Sequence, residues 1–230
     1  MSPQAYFFYL IYIFALLIQH PSKQQKKMKI ICVGRNYADH AKELGNDIPA
    51  EPVIFMKPKS ALLQSHTPFY YPEFTNELHY ECELVLRISK NGKYIQARHA
   101  PNYYNGITVG IDFTARDLQK ELSEKGLPWE KAKAFDNSAA VGKFIDITPA
   151  INKKNINFTF HKNKELVQQG NSGNMLFSFD TIIEHVSNYF SLNIGDLVFT
   201  GTPAGVGECV VGDELEAFIE NEMLLKMDVK

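Results

Sequence analysis

Residues 79–88 read HYECELVLRI and residues 106–113 read GITVGIDF, and their apolar, β-branched composition predicts β-strands over 80–88 and 107–113. Alternate side chains of a strand point to the same face, so Glu81 and Glu83 are expected to lie side by side. Asp112 comes at the end of its otherwise apolar strand, where an unpaired buried charge would be unfavourable. If the two strands converge, three carboxylates meet at one place.

Three converging carboxylates are hard oxygen ligands, which suit Mg²⁺, Mn²⁺ or Ca²⁺ better than zinc. Such a site keeps coordination positions open for water or for a chelating substrate. The alternative explanation is ordinary, because a Glu-x-Glu pair is also typical of a solvent-facing strand edge. The residues alone leave both explanations open.

Residues 35–44 (RNYADHAKEL) have helical composition and contain a second candidate pair. His40 and Glu43 are three positions apart, so the carboxylate can lie beside the imidazole, orient it and raise its basicity. This is the arrangement of a general-base dyad, although an exposed helix with a routine charge pair gives the same pattern. The loop that follows, residues 45–52 (GNDIPAEP), would allow the segment to move as a lid.

Two further segments bear on the chemistry. Lys133 in residues 131–139 (KAKAFDNSA) can counter the charge of an enolate, or it can be a solvated surface lysine. Residues 200–207 (TGTPAGVG) match neither a dinucleotide-binding nor a P-loop motif. They form either a tight connection between strands or a loop whose NH and Thr hydroxyl groups bind a substrate carboxylate. The chain has no G-x-S-x-G elbow and no indicated Cys/His pair, so a covalent serine or cysteine hydrolase has little support.

The rest of the chain predicts many short strands and few helices. Further strands are predicted over 29–33, 53–56, 197–200, 214–220 and 223–229, a hairpin over 158–168 turning at Lys162-Asn163, and helices starting at an N-cap Thr114 and spanning 180–190. The pattern therefore predicts one β-rich α+β domain of about 200 residues.

Composition excludes several classes of protein. The 230 residues carry 24 Lys+Arg and 26 Asp+Glu, a net charge of −2, without the basic face of a nucleic-acid reader. The three cysteines, Cys32, Cys82 and Cys209, have neither disulfide-framework nor zinc-site spacing. We therefore expect a reduced, cytoplasmic protein that does not bind nucleic acid.

The first 27 residues differ from this average because they contain no acid and only three bases. Residues 5–18 form an uncharged apolar run, shorter than the roughly 20 residues of a spanning helix and without the basic start of a signal peptide. A weak membrane anchor, a segment packed on the domain and translation from an upstream start codon are three explanations. We favour the start codon, since a strand begins directly after Met28, and expect membrane association to be unlikely. The predicted domains are thus a leader, 1–27, and a catalytic domain, 28–230.

Six segments in order resemble the fumarylacetoacetate hydrolase family, most closely its short acylpyruvase-like members. They are VGRNYADHAKEL, FMKPKSAL, HYECELVL, GIDFTARDLQ, GLPWEKAKAFDNSAAVG and GDLVFTGTPAGVG, which together span essentially Met28 to Lys230. The resemblance implies the mixed β-roll fold of the family's C-terminal domain, a homodimer, and a divalent ion, commonly Mg²⁺, held by Glu81, Glu83 and Asp112. Members of this kind usually lack the apolar leader.

The resemblance also implies roles for other residues. His40 and Glu43 correspond to the family's water-activating dyad, and Lys133 corresponds to the lysine that stabilises the enolate. Substrate contacts carry over to Gln119 and Thr202, and less directly to Arg116 and Lys57.

These roles imply a metal-dependent hydrolase that cleaves the carbon–carbon bond of acylpyruvates (2,4-dioxo acids) to pyruvate and a carboxylic acid. His40 would deprotonate the water that attacks the distal carbonyl, and the enolate charge would be held near the ion and Lys133. The same site can serve oxaloacetate decarboxylation or tautomerisation. The main alternative is the isomerisation of 2-hydroxyhepta-2,4-diene-1,7-dioate in the degradation of aromatic compounds. The alternative that is not an enzyme is a non-catalytic metal-binding protein or a membrane-tethered protein.

Overall fold

The computed structural model describes residues 28–43, 45 and 47–230, and it contains fifteen strands within that part of the chain. The predicted leader, Leu44 at the end of the first predicted helix and Asn46 in the predicted lid lie outside the described residues. The strands are β1 (Ile30–Val33), β2 (Ile54–Lys57), β3 (Leu62–Gln64), β4 (Leu78–Tyr80), β5 (Cys82–Ile88), β6 (Tyr104–Asp112), β7 (Thr114–Ala115), β8 (Ala139–Val141), β9 (Ile145–Asp146), β10 (Asn157–Lys162), β11 (Glu165–Asn171), β12 (Leu197–Phe199), β13 (Gly207–Glu208), β14 (Glu214–Ile219) and β15 (Glu222–Asp228).

Helices are few and short, and they lie between the strands rather than in a layer of their own. The α-helices are α1 (Ala38–Glu43), α2 (Arg116–Glu124), α3 (Glu130–Lys133) and α4 (Phe179–Tyr189), and short 3₁₀ helices occur at Lys59–Ala61, Ala97–Asn102 and Ser172–Asn174. The predicted class, β-rich α+β, is confirmed. None of the described helices is long and apolar enough to cross a membrane.

Three sheets make up the fold. The largest has the strand order β2-β1-β12-β5-β6-β8-β3, with β9 also paired to β6. A four-stranded sheet has the order β11-β10-β14-β15, and a three-stranded sheet has the order β13-β4-β7. In the largest sheet β1 pairs in parallel with β12 and β12 pairs antiparallel with β5, so the sheet is mixed.

The core lies on both faces of the largest sheet, which explains why its central strands read as apolar runs. On one face Leu84 and Leu86 of β5 belong to the same buried cluster as Phe158 of β10 and Ile182 of α4. On the other face Val85 packs in a second buried cluster with residues of β1 and β12. All residues of β5 except Arg87 are therefore buried, including its one acid, Glu83.

Three element boundaries differ from the predictions for identifiable reasons. The first helix begins at Ala38 rather than at residue 35, because Asn36 binds Phe177 through its side chain and Tyr37 bridges to Met175. The hairpin turns one residue later than predicted, at Asn163-Lys164, whose φ angles of 54° and 70° are those of a tight hairpin turn.

The predicted N-cap at Thr114 is also wrong. Thr114 lies in β7, paired with His79, and its hydroxyl accepts a hydrogen bond from Lys133 Nζ at 2.6 Å. The helix α2 therefore begins one residue later than predicted, at Arg116, with Ala115 as its N-cap. The Thr114 hydroxyl, which the sequence predicted at a helix end, instead binds the ammonium group of Lys133.

Candidate active site

Glu81, Glu83 and Asp112 come together as the spacing predicts. Glu81 occupies the break between β4 and β5, and Asp112 ends the neighbouring antiparallel strand β6. The backbone NH of Asp112 donates to the carbonyl of Glu81 at 2.8 Å, which fixes the register of the two segments at this point. One carboxylate oxygen from each of the three residues lies within 4.8 Å of the others, and all three residues are buried.

Two cations lie against this acidic cluster. Lys133 Nζ is 2.6 Å from Glu81 Oε2 and 3.0 Å from Asp112 Oδ2, and Arg116 Nη2 is 2.6 Å from Glu81 Oε1. Burial would raise the pKa of Glu81, but Lys133 and Arg116 outweigh it and hold that pKa well below its usual range. Burial would likewise lower the pKa of Lys133, but Asp112 and Glu81 raise it, so the ammonium stays charged.

Lys57 supplies a third cation from behind the cluster. Its side chain is fully buried, and its Nζ lies 2.6 Å from Asp112 Oδ1 and donates to the carbonyl and the hydroxyl of Ser138, each at 3.0 Å. It also donates to the backbone carbonyl of Lys133. Lys57 does not line the cavity beside the cluster. It instead neutralises Asp112 and fixes the backbone that carries Lys133.

Glu83 lacks a cation of its own within hydrogen-bonding distance among the described residues. Its Oε2 accepts a hydrogen bond from the NH of Gly201 at 2.6 Å. Burial raises the pKa of Glu83 well above its usual value, and the nearby carboxylate of Asp112 raises it further. Of the three carboxylates, Glu83 is therefore the one whose ionised form an additional positive charge would stabilise most.

The cluster fits a divalent cation. Carboxylates are preferred ligands of Mg²⁺, Mn²⁺ and Ca²⁺, and the oxygens around such an ion lie up to about 4–5 Å apart, twice the metal–oxygen distance. Asp112 Oδ1 is buried and makes no hydrogen bond, although it contacts Lys57. The paired oxygens of Glu81 also keep lone pairs, because a carboxylate offers about four acceptor positions. With three carboxylates and three cations, the site is formally neutral before an ion enters.

A cavity of about 470 Å³ opens beside the cluster. Among the residues predicted to act, those that line it are His40, Glu81, Arg116, Gln119 and Lys133. Gln119 accepts a hydrogen bond from Arg116 Nη1 within this lining. Phe55 and Trp129 form an aromatic wall, with ring centroids 6.1 Å apart, and they also border a smaller apolar cavity of about 320 Å³. The main cavity is thus charged near the cluster and aromatic at one side.

His40 and Glu43 form the predicted contact. His40 is buried, and its Nδ1 lies 3.2 Å from Glu43 Oε2. Glu43 in turn accepts hydrogen bonds from the NH of Gly205, at 3.1 and 3.3 Å, so the 200–207 loop holds the carboxylate in place. No described residue hydrogen-bonds to His40 Nε2. The imidazole is therefore oriented by one nitrogen while the other can meet a water or a substrate.

Thr202 is placed differently from the other candidates. Its hydroxyl donates to the carbonyl of Cys82 at 2.8 Å and accepts from Gln168 Nε2 at 2.8 Å, and the residue is outside the cavity lining. Glu83 and Asp112 are also outside the cavity lining, and Asp112 contacts Lys133, which does line it. The 200–207 loop therefore contacts the cluster at Glu83 through Gly201, and it contacts Cys82, between the two glutamates, through Thr202.

Two buried side chains that sequence reasoning missed tie these parts together. Gln168 of β11 accepts from the NH of Cys82 at 2.9 Å and donates to Thr202 and to the carbonyl of Pro203. Asn36, with no exposed surface, donates to the carbonyl of Thr200 at 2.7 Å and binds Phe177 by both ends of its amide. A polar residue at an inward position of a strand is the signal that could have identified Gln168, since the burial of β11 alternates around it.

Comparison with known proteins gives consistent matches over the described domain. The model of the fumarylacetoacetate (FAA) hydrolase C-terminal domain matches residues 29–230. The mitochondrial oxaloacetate tautomerase of Mus musculus is 40% identical over 201 residues, which cover 87% of this chain and 91% of that protein.

Solved structures agree with the sequence matches. Fumarylpyruvate hydrolase from Pseudomonas aeruginosa, in complex with Mn²⁺ and pyruvate, is 36% identical with a TM-score of 0.83, covering 91% of this chain and 93% of that one. The 2-hydroxyhepta-2,4-diene-1,7-dioate isomerase from Mycobacterium marinum is 32% identical with a TM-score of 0.76, covering 89% and 75%. These matches confirm the fold that the six sequence segments imply.

Proposed function

The chain belongs to the fumarylacetoacetate hydrolase family, and we propose that it is a divalent-metal-dependent enzyme that hydrolyses acylpyruvates to pyruvate and a carboxylic acid. One observation carries the proposal: the buried His40, which is held by Glu43, and Glu81 of the acidic cluster line the same cavity. Hydrolysis needs a base for water, and this pair supplies one beside the groups that can hold a 2-oxo acid.

Two observations support a divalent ion in this site. The Pseudomonas aeruginosa relative is a complex with Mn²⁺ and pyruvate, and the cluster of Glu81, Glu83 and Asp112 here has the ligand chemistry for such an ion. When bound, the ion would supply Lewis-acid polarisation of the oxygens at the 2-oxo acid end. Mg²⁺ is our proposed ion, with Mn²⁺ and Ca²⁺ as alternatives.

His40 acts first in the proposed reaction. Its Nε2 accepts a proton from a water, which attacks the distal carbonyl carbon of the substrate while Glu43 stabilises the imidazolium. The C3–C4 bond then breaks, its electron pair becomes the enolate of pyruvate, and the other fragment leaves as a carboxylic acid. The proton held by His40 passes to C3 of the enolate, which gives pyruvate and restores the base. Lys133 and Arg116 line the cavity as cations, so their attraction for the organic anion grows as the enolate charge develops.

Oxaloacetate tautomerisation is the second candidate, supported by the 40% identity to the Mus musculus enzyme of that name. In that reaction His40 would move a proton at C3 and no bond between carbons would break. Decarboxylation of oxaloacetate would use the same enolate-stabilising groups. The Mycobacterium marinum isomerase supports a third reaction, proton transfer in a hydroxydienoate. All of these reactions pass through an enolate. The cations of the cavity can stabilise that shared intermediate whichever net reaction follows.

A substrate panel tests the proposal. The protein in Mg²⁺ is incubated with acetylpyruvate, oxaloacetate and 2-hydroxyhepta-2,4-diene-1,7-dioate, and pyruvate release and ultraviolet absorbance are followed. We expect pyruvate from acetylpyruvate, and a roughly 100-fold or larger fall in kcat for His40→Ala, the usual contribution of a general base. Asp39→Asn is the matched control, because its side chain is 86% exposed on the same helix. Undiminished acetylpyruvate cleavage by His40→Ala would rule out the water-activating role.

A homodimer and a cytoplasmic location complete the proposal. Both are testable on the native protein, by light scattering and by cell fractionation with immunoblotting. The Mus musculus relative is named as mitochondrial, so recovery of this protein in a mitochondrial fraction would overturn the cytoplasmic part.

A further inference from the structure

Arg35 lies in the segment that connects β1 to α1, and it lines the cavity together with His40. Its side chain is half-buried. Among the residues that the structure describes, none forms an ion pair or a hydrogen bond with its guanidinium. This distinguishes Arg35 from the other arginine of the cavity wall, Arg116, which contacts Glu81 and Gln119.

The charges of the cavity make this difference significant. Lys133, Arg116 and Lys57 are matched in number by the three carboxylates of the acidic cluster. Arg35 has no such counterpart, and Glu77, another acid of the lining, lies 3.1 Å from His79 instead. A guanidinium that is partly removed from water without an anion is unfavourable, so this position is suited to an anion brought by a ligand.

The place of Arg35 relative to the reaction indicates which part of the ligand it meets. The acidic cluster and Lys133 belong to the 2-oxo acid end, whereas His40 acts at the distal carbonyl in the proposed function. Arg35 comes from the same segment as His40, five residues before it, and Gly34 and Ala41 of that segment also line the cavity. A group bound by Arg35 therefore lies beyond the distal carbonyl rather than at the cluster.

We propose that Arg35 binds the distal carboxylate of a dicarboxylic 2-oxo acid, so that the enzyme prefers substrates with a second carboxylate over those with a neutral acyl end. The planar guanidinium can bind a carboxylate through two parallel hydrogen bonds, which gives selectivity that a lysine at the cavity rim cannot match. This inference rests on the proposed function, whose site it extends.

Binding of two inert ligands tests the inference without turnover. 2-Oxoglutarate and 2-oxopentanoate have the same five-carbon chain and differ in the distal carboxylate, and neither is an acylpyruvate. Their affinities are measured by calorimetry for the full chain in saturating Mg²⁺, and for the variants Arg35→Gln, Arg35→Lys and Lys42→Gln. Lys42 is the matched control, because it carries a positive charge on the neighbouring helix α1 with a 73% exposed side chain.

We expect the unmodified protein and Lys42→Gln to bind 2-oxoglutarate about 10- to 100-fold more tightly than 2-oxopentanoate, the range for a charged hydrogen bond. Arg35→Gln should remove that preference and Arg35→Lys should keep part of it. Equal affinities in the unmodified protein, or a preference that survives Arg35→Gln, would overturn the inference. If no form binds either ligand, the inference fails together with the 2-oxo acid site, whereas acetylpyruvate cleavage without a carboxylate preference contradicts the inference alone.

Discussion

Replacing Gln168 by leucine should weaken both the fold and the acidic cluster, although Gln168 lies outside the cavity lining. Its side chain connects three groups: the NH of Cys82 at 2.9 Å, the hydroxyl of Thr202 at 2.8 Å and the carbonyl of Pro203 at 3.0 Å. Cys82 stands between the two glutamates of the cluster. Gln168 therefore holds the strand that carries the carboxylates against the 200–207 loop.

The size of the effect follows from which groups lose a partner. Thr202 keeps its hydrogen bond to the carbonyl of Cys82, but the NH of Cys82 and the carbonyl of Pro203 lose Gln168. Each unsatisfied buried group destabilises by about 1–3 kcal/mol, and the apolar leucine offsets part of this. We expect the free energy of unfolding to fall by about 2–4 kcal/mol, which leaves a typical domain of this size folded.

The assay is urea unfolding in EDTA, followed by circular dichroism, together with the Mg²⁺ dependence of the reaction rate. Gln169→Leu is the matched control, because it makes the same substitution at the next, exposed position of β11. Gln168→Leu should also require several-fold more Mg²⁺ for half-maximal rate, while Gln169→Leu should change neither quantity appreciably. A loss of stability below about 1 kcal/mol, or equal effects of the two variants, would refute the role given to Gln168.

Three other predictions concern buried charge and the extent of the domain. Lys57→Met should lower the free energy of unfolding in EDTA by about 3–5 kcal/mol, because it leaves the buried carboxylate of Asp112 short of a cation. Urea unfolding measures this against the control Lys59→Met, whose position is exposed, and equal stability of the two variants would contradict the prediction. Burial raises the pKa of Glu83, so the unfolded chain releases its proton first, near pH ~4.3, and the folded state loses stability as the pH rises from there towards the folded pKa. Glu83→Gln should therefore melt higher than the unmodified protein at pH 8 in EDTA and level with it at pH 4, and a lower melting temperature at pH 8 would be the opposite result. A protein that begins at Met28 should keep kcat/KM for acetylpyruvate within about twofold, since the cavity and the cluster lie within the family match over 29–230, and a larger loss would show that the leader contributes.

Local patterns predicted the parts of the site that depend on local geometry. The period of a strand placed Glu81 and Glu83 together, and helical spacing placed Glu43 beside His40. The break in the strand at Glu81 did not follow from the pattern. Residues 80–86 are all buried, so the alternation of exposure that the pattern predicts is absent there. Burial on both faces of the largest sheet is a tertiary property that composition does not reveal.

Contacts between distant segments could not be predicted from spacing. Gln168 and Cys82 are separated by 86 residues, and Lys57 reaches Ser138 across 81. The same holds for the burial of Lys133, whose sequence context equally suits a solvated lysine. The partners of such residues can be assigned only once the strand order of the sheet is known. In that order β5, β6 and β8 are neighbours, so residues at their ends come close together.

The rate of pyruvate release from acetylpyruvate, measured for the unmodified protein and for Asp112→Asn in Mg²⁺ and in EDTA, tests most directly whether the acidic cluster supports metal-dependent hydrolysis. We predict pyruvate release by the unmodified protein in Mg²⁺ only, together with a Mg²⁺-dependent rise in melting temperature, and the loss of both in Asp112→Asn. Release that continues undiminished in EDTA, or full thermal stabilisation of Asp112→Asn by Mg²⁺, would contradict a metal site at Glu81, Glu83 and Asp112.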